Sequence, residues 1–167
     1  MIDKKQIASS IAQVALEIDR EYADGDLVIV MVLKGAICFT ADLIRDITVA
    51  CDLQTVQCSS YGAGGTKRGE LKVIGLEALE IENRDVLIVD DIFDSGHTLF
   101  VLVEALKMKN PRTLKNLVLL TRNAPHIPHF YPDRSLFTIQ DEFVVGYGLD
   151  YKEKYRGLPS IYALEDV

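Results

Sequence analysis

Only three of the 167 residues are cysteine, and Cys38, Cys51 and Cys58 have neither an even count nor metal-ligand spacing. A disulfide framework and a cysteine metal site are thereby excluded, and the small or apolar neighbours of each predict buried thiols in a reducing compartment. Basic side chains are scarce too. Eighteen Lys and Arg against twenty-five Asp and Glu give a net charge of −7, which lacks the footprint needed to wrap nucleic acid or grip anionic lipid. No apolar run approaches membrane-spanning length, and Met1 to Gln6 are polar and charged where a secretory signal needs a basic start and an apolar stretch. The expectation is a soluble, unprocessed, cytoplasmic protein with no nucleic-acid or membrane partner. Repeats, low-complexity tracts and interdomain linkers are also missing, so one domain over residues 1–167 is expected.

What is present is a periodic apolar pattern in 49% apolar sequence. From Lys4 to Tyr22 the residues Ile7, Ile11, Val14, Ala15 and Ile18 recur at helical spacing, until Asp24-Gly25 breaks the pattern. Leu27 to Leu33 is a continuous, largely β-branched run that predicts a strand buried on both faces, as parallel sheets require. A helix over about Ala36 to Ile47 and a strand over Leu53 to Cys58 complete a βαβ unit. The cycle then repeats with a strand at Val86 to Val89, a helix at His97 to Met108 and a strand at Leu114 to Leu120. Tyr61 to Glu70, rich in glycine and charge, reads as a mobile loop; the region after Ala124, with its prolines and short strands, reads as a small cap over the sheet.

The segment Val86-Leu-Ile-Val-Asp-Asp-Ile-Phe-Asp-Ser-Gly-His-Thr98 puts two carboxylates at the carboxyl end of a strand, followed by a glycine-containing turn into a helix. Ligands of open α/β sheets bind at that edge. The turn offers successive backbone N–H groups, the Ser95 and Thr98 hydroxyls and the positive end of a helix dipole, while Gly96 lets the backbone come close to a phosphate monoester. The spacing matches neither the triphosphate-binding Gly-Lys-Ser/Thr loop nor the three-glycine dinucleotide fingerprint. Burying adjacent Asp90 and Asp91 costs several kcal/mol, by rough estimate, unless hydroxyls, metal or cations compensate. A sugar diol with magnesium would do so.

This run resembles the phosphoribosyl pyrophosphate motif of the type I phosphoribosyltransferases, and the chain is similar to the hypoxanthine-guanine members of that superfamily along nearly its whole length. The resemblance implies an α/β fold with a mainly parallel, twisted sheet flanked by helices, and a carboxyl-terminal hood over about 122–167. It also implies magnesium-dependent transfer of the 5-phosphoribosyl group to N9 of hypoxanthine or guanine, and a homodimer or homotetramer. In Val32-Leu-Lys-Gly35 the family's Leu-Lys peptide is cis and its amides meet pyrophosphate, so Lys34 and Gly35 are assigned to substrate; read alone, Lys34 is a strand-end lysine reaching water. Ser60 and Tyr61 match the family's closing loop, whose bland reading is a solvated hairpin about 60–70.

Phe143-Val-Val-Gly-Tyr-Gly-Leu-Asp-Tyr151 is nearly identical to the family's purine-binding stretch. By resemblance the Phe143 ring stacks on the base, Val144 reads its edge through the main chain, and Asp150 holds magnesium, unless it is an ordinary turn aspartate. Arg156 corresponds to a pyrophosphate-binding arginine whose planar donors suit phosphate oxygens; Lys152 and Lys154 are expected to be solvated. Asp90 and Asp91 are assigned to the ribose hydroxyls or the metal. Ser95, Gly96, His97 and Thr98 fall to the 5-phosphate. Asp94 is assigned to proton exchange at purine N7, with helix N-capping as its alternative.

Three departures from the family stand out. Asp90-Asp91 replaces Glu-Asp, Arg122 replaces a lysine that donates to the purine 6-oxo group, and Ser135 to Gln140 lose a glycine and a proline near the base pocket. Preference among hypoxanthine, guanine and xanthine is therefore open. His126 and His129, two residues apart, are too few for a metal site and are expected in a loop. The rival readings are a noncatalytic nucleotide- or RNA-binding regulator on the same fold, and a phosphorelay receiver, whose acidic pair would belong to the first strand.

Overall fold

The computed structural model describes residues 1–60 and 71–164, the side chains of Ser59 and Ser60 excepted. The predicted loop at Tyr61 to Glu70, with Tyr61 itself, lies outside the described residues. Helix α1 (Lys4–Glu21) opens with a capping box. The Asp3 carboxylate accepts from the N–H groups of Lys5 and Gln6, and the Gln6 side chain accepts from Asp3 N–H. The five residues named from the helical spacing are the five that α1 buries.

Strands β1 (Leu27–Leu33), β2 (Cys51–Ser60), β3 (Leu71–Ile74), β4 (Asp85–Phe93), β5 (Thr113–Arg122) and β6 (Arg134–Ile139) form one six-stranded sheet in the order β3-β2-β1-β4-β5-β6. All neighbours are parallel except β2 and β3. Alternation along β1 and β4 explains the continuous apolar runs. Leu27, Ile29, Leu87 and Val89 face α1 and α2 (Ile37–Asp46), with Ile7, Ile18, Phe39 and Leu43 in that core. Val28, Val30, Val86 and Ile88 face α3 (His97–Lys107), with Leu99, Leu102 and Leu106. Two covered faces leave no position for polar side chains in mid-strand.

The region after Ala124, expected as a cap, divides in two. β6 is a parallel strand of the main sheet, paired to β5 from Leu117↔Arg134 to Arg122↔Ile139. Only the following chain stands apart, as a two-stranded antiparallel sheet of β7 (Val144–Val145) and β8 (Tyr162–Ala163), to which Ile2 is joined by a bridge to Ile161. Three of the four prolines that pointed to irregular chain, Pro125, Pro128 and Pro132, lie in the 125–132 connection. There His126 lies in a loop, as expected, and its ring packs 4.7 Å from that of Phe93. The cysteines are free but only half-buried, because each sits at a strand or helix end rather than within a layer. No described helix is long and apolar enough to cross a membrane.

β1 lies between β2 and β4, so successive crossovers leave it in opposite directions. That reversal opens a crevice at the carboxyl ends of β1 and β4.

Candidate active site

A cavity of about 310 Å³ fills this crevice. It is lined by Lys34 and Gly35 beyond β1, by Asp90, Asp91, Asp94, Ser95, Gly96, His97 and Thr98 from β4 to the start of α3, and by Asp150 and Arg156 from the carboxyl-terminal region. Eleven residues expected at substrate from separated stretches of sequence thus share one wall-to-wall space. Cys58, at the end of β2, joins them. Burial pushes its thiol up to about 12, with the Asp90 charge adding to the effect, so it is held as the inert protonated form. Its place at the carboxyl end of a parallel strand was the one available signal.

β4 runs on through both acids to Phe93 rather than ending at Val89. Asp90 is 5% exposed, and its carboxylate accepts the Asp91 N–H at 2.9 Å. Asp91 accepts from Ile92 N–H at 3.0 Å. Neither forms an ion pair among the described residues. Burial, then the neighbouring Asp91 charge, raises the Asp90 carboxyl well above its ordinary range; burial also raises Asp91. Such a pair fits a cation. No cluster of three or more His, Cys, Asp or Glu that could hold a metal occurs among the described residues, so a magnesium ion here would take its other ligands from substrate and water, as that ion commonly does.

The turn from β4 into α3 rests on Gly96. It is the N-cap of α3 with φ 80°, and no side chain caps the helix. Any Cβ there would sit 2.7 Å from the Phe93 ring, so the turn requires glycine. The first-turn N–H groups are left for a ligand, apart from a 3.4 Å contact of His97 N–H to Ser95 Oγ. Asp94 is therefore not the helix cap.

Instead the Asp94 carboxylate, 63% exposed, meets Arg122 Nε at 3.1 Å. Arg122 Nη1 donates to the carbonyls of Gln140 (3.0 Å) and Glu142 (2.8 Å). Arg122, Phe143 and Val144 do not line the cavity, yet Arg122 ties its rim to the peptide next to Phe143. The Phe143 ring is 41% exposed and stands edge-on to Tyr151 at 5.6 Å, while Val144 is buried. Of Ser60, only the backbone at the end of β2 is described.

Two glycine contacts lock the walls together. A Cβ on Gly35 would fall 1.7 Å from Asp91 Oδ2, and one on Gly148 (φ 102°) would fall 2.1 Å from the Gly35 carbonyl. The turn bearing Asp150 thus stacks on the peptide beyond β1, which stacks on the acids of β4. The Leu33–Lys34 peptide is cis, as the resemblance implies.

In that turn Arg156 pairs with Asp150 at 2.7 Å and Glu153 at 3.3 Å, and donates to Gly148 O at 2.8 Å. Asp150 also accepts from Glu153 N–H at 2.8 Å, so it serves the turn and faces the cavity at once. Lys152 lies 4.8 Å over the Tyr151 ring, which gives this lysine a contact where plain solvation was expected.

Known proteins resemble this chain in sequence and fold. The profile of the phosphoribosyl transferase domain family matches residues 1–152. A hypoxanthine-guanine phosphoribosyltransferase of Bacillus subtilis is 38% identical over 165 residues, covering 99% of this chain and 92% of that protein. The bifunctional protein TilS/HprT of Listeria monocytogenes is 37% identical over 161 residues, of which this chain spans 25% of the length. The crystal structure of a hypoxanthine-guanine phosphoribosyltransferase from Bacillus anthracis superposes with a TM-score of 0.87 at 34% identity, covering 98% of this chain and 94% of that one. On sequence and fold alike, the chain belongs to the phosphoribosyl transferase domain family, in the company of its hypoxanthine-guanine members.

Proposed function

We propose that the protein transfers the 5-phosphoribosyl group of phosphoribosyl pyrophosphate to N9 of a 6-oxopurine, hypoxanthine or guanine, giving the nucleoside monophosphate and pyrophosphate. The observation that carries this reading is the juxtaposition of an uncapped helix start with two adjacent carboxylates, Asp90 buried and Asp91 half-buried, in one crevice and without an ion pair among the described residues. The α3 N-terminus suits the 5-phosphate, and Asp90 and Asp91 suit the adjacent ribose hydroxyls. Lys34 and Arg156 face the position of the departing pyrophosphate and take up its growing negative charge.

As the bond from the anomeric carbon to pyrophosphate oxygen breaks, that carbon gains positive charge, which the buried acids stabilise. N9 then supplies the electron pair of the new bond. Asp94 exchanges a proton at N7 as the base changes tautomer, with Arg122 holding it at the rim. Asp150, with Asp90 and Asp91, is the set available to magnesium, which when bound supplies neutralisation of the pyrophosphate oxygens. Half-buried free thiols suit a reducing cytoplasm.

The test is to mix the protein with phosphoribosyl pyrophosphate, magnesium and each of hypoxanthine, guanine and xanthine. Nucleotide and pyrophosphate should appear in equal amounts and vanish on chelation. RNA or nucleotide binding without turnover would instead favour a regulator on the same fold, and aspartyl phosphorylation a receiver.

A further inference from the structure

Glu153 has no role in the reading above, yet it occupies the two cations assigned to pyrophosphate. One carboxylate oxygen, Oε2, lies 3.1 Å from Lys34 Nζ and 3.3 Å from Arg156 Nη2. The cations come from different elements, the end of β1 and the carboxyl-terminal turn, and both line the cavity. An anionic oxygen shared between them stands where an oxygen of a bound phosphate would stand.

The backbone directs this contact. Lys152 and Glu153 are left-handed, at φ 51° and 62°, a conformation that side chains other than glycine adopt only when their surroundings impose it. The bridge between Tyr151 and Lys154 and the bond from Glu153 N–H to Asp150 hold the turn in that form. The carboxylate itself is loosely held, since the Glu153 side chain is 65% exposed and the Lys34 side chain 56%, and exposed ion pairs are weak. Arg156 keeps its bonds to Asp150 and Gly148 O when Glu153 leaves, so the site stays formed.

We infer that Glu153 is an internal competitor for the leaving-group anion: it pairs with Lys34 and Arg156 in the free protein, swings out when pyrophosphate or its ribosyl ester binds, and returns to speed release. This rests on the assignment of Lys34 and Arg156 to pyrophosphate. Apparent affinity falls by the fraction of molecules in which the cations are free, so Glu153 sets how tightly the anion is held.

Calorimetric titration with magnesium pyrophosphate tests this without turnover. Glu153→Gln should bind about three- to tenfold tighter than the parent protein, Glu153→Asp should fall between, and the KM for phosphoribosyl pyrophosphate should drop by a similar factor while kcat stays level or falls. A merely structural glutamate would give the opposite sign. Unchanged or weaker binding by Glu153→Gln overturns the inference. So does equal tightening by Glu82→Gln, an exposed acid away from the cavity, since net charge would then account for it. Failure of every purine to yield nucleotide would instead strike the functional reading, and the titration would still decide the role of Glu153.

Discussion

On one wall of the cavity Asp90 and Asp91 are adjacent, the first buried and the second half-buried, and without a paired cation among the described residues. On the other, Asp150, Glu153, Arg156 and Lys34 are more exposed and satisfy one another. Lys34 and Arg156 hold the Glu153 carboxyl below its usual range, opposite in direction to the shift at Asp90. The first wall is fixed by a strand whose register admits no escape for its side chains; the second is a turn free to exchange partners. Under the proposed function that difference serves a site that holds a sugar rigidly and lets pyrophosphate go: charge is left uncompensated where the ligand would stay, and is already compensated where the ligand would depart.

The largest expected effect is at the rim between the walls. Asp94→Asn should lower turnover by about 10² to 10⁴, the range for a lost general acid–base group, with Tm unchanged because Asp94 caps no helix. Full activity in that variant would remove it from the chemistry.

On the rigid wall, Asp90→Asn should cost about 10²-fold in turnover, as for a lost electrostatic stabiliser, yet raise stability. Its folded pKa is raised, so the folded chain binds a proton more tightly than the unfolded one. The stability from that proton is full below the ordinary value of 3.8 and is lost as pH rises through the folded value. At pH 7 the amide should therefore melt higher, by about 2–4 °C per kcal/mol relieved, and the difference should vanish in acid. A lower melting temperature at pH 7 would show that the acids are not in conflict.

The smallest effect concerns the link between rim and base. Arg122→Met should raise the KM for the purine about tenfold, since it frees Asp94 and leaves two carbonyls without donors, while the KM for phosphoribosyl pyrophosphate holds. Arg122→Lys should recover part of the loss. Equal changes in both constants would place Arg122 outside the base side of the site.

Much of this was legible in the residues. The helix Lys4–Glu21 and the strand Leu27–Leu33 follow from apolar spacing alone, because a buried helix face and a doubly covered strand leave unambiguous patterns. The strand-to-helix turn of residues 90–98, with its paired acids and Gly96, was readable because few other requirements combine paired carboxylates with glycine at such a turn. β6 was hidden by the prolines before it and by its mixed burial at the sheet edge. The role of Arg122 as a brace to Asp94 and to the carbonyls at 140 and 142 was hidden too, as was Glu153. Both depend on tertiary contacts between segments that no local spacing records.

The most direct measurement is a crystal structure with a purine nucleoside 5′-monophosphate. The phosphate should lie against the backbone N–H groups of residues 94–98 at the start of α3, with the ribose hydroxyls beside Asp90 and Asp91. A nucleotide bound elsewhere, with that turn unengaged, would contradict it.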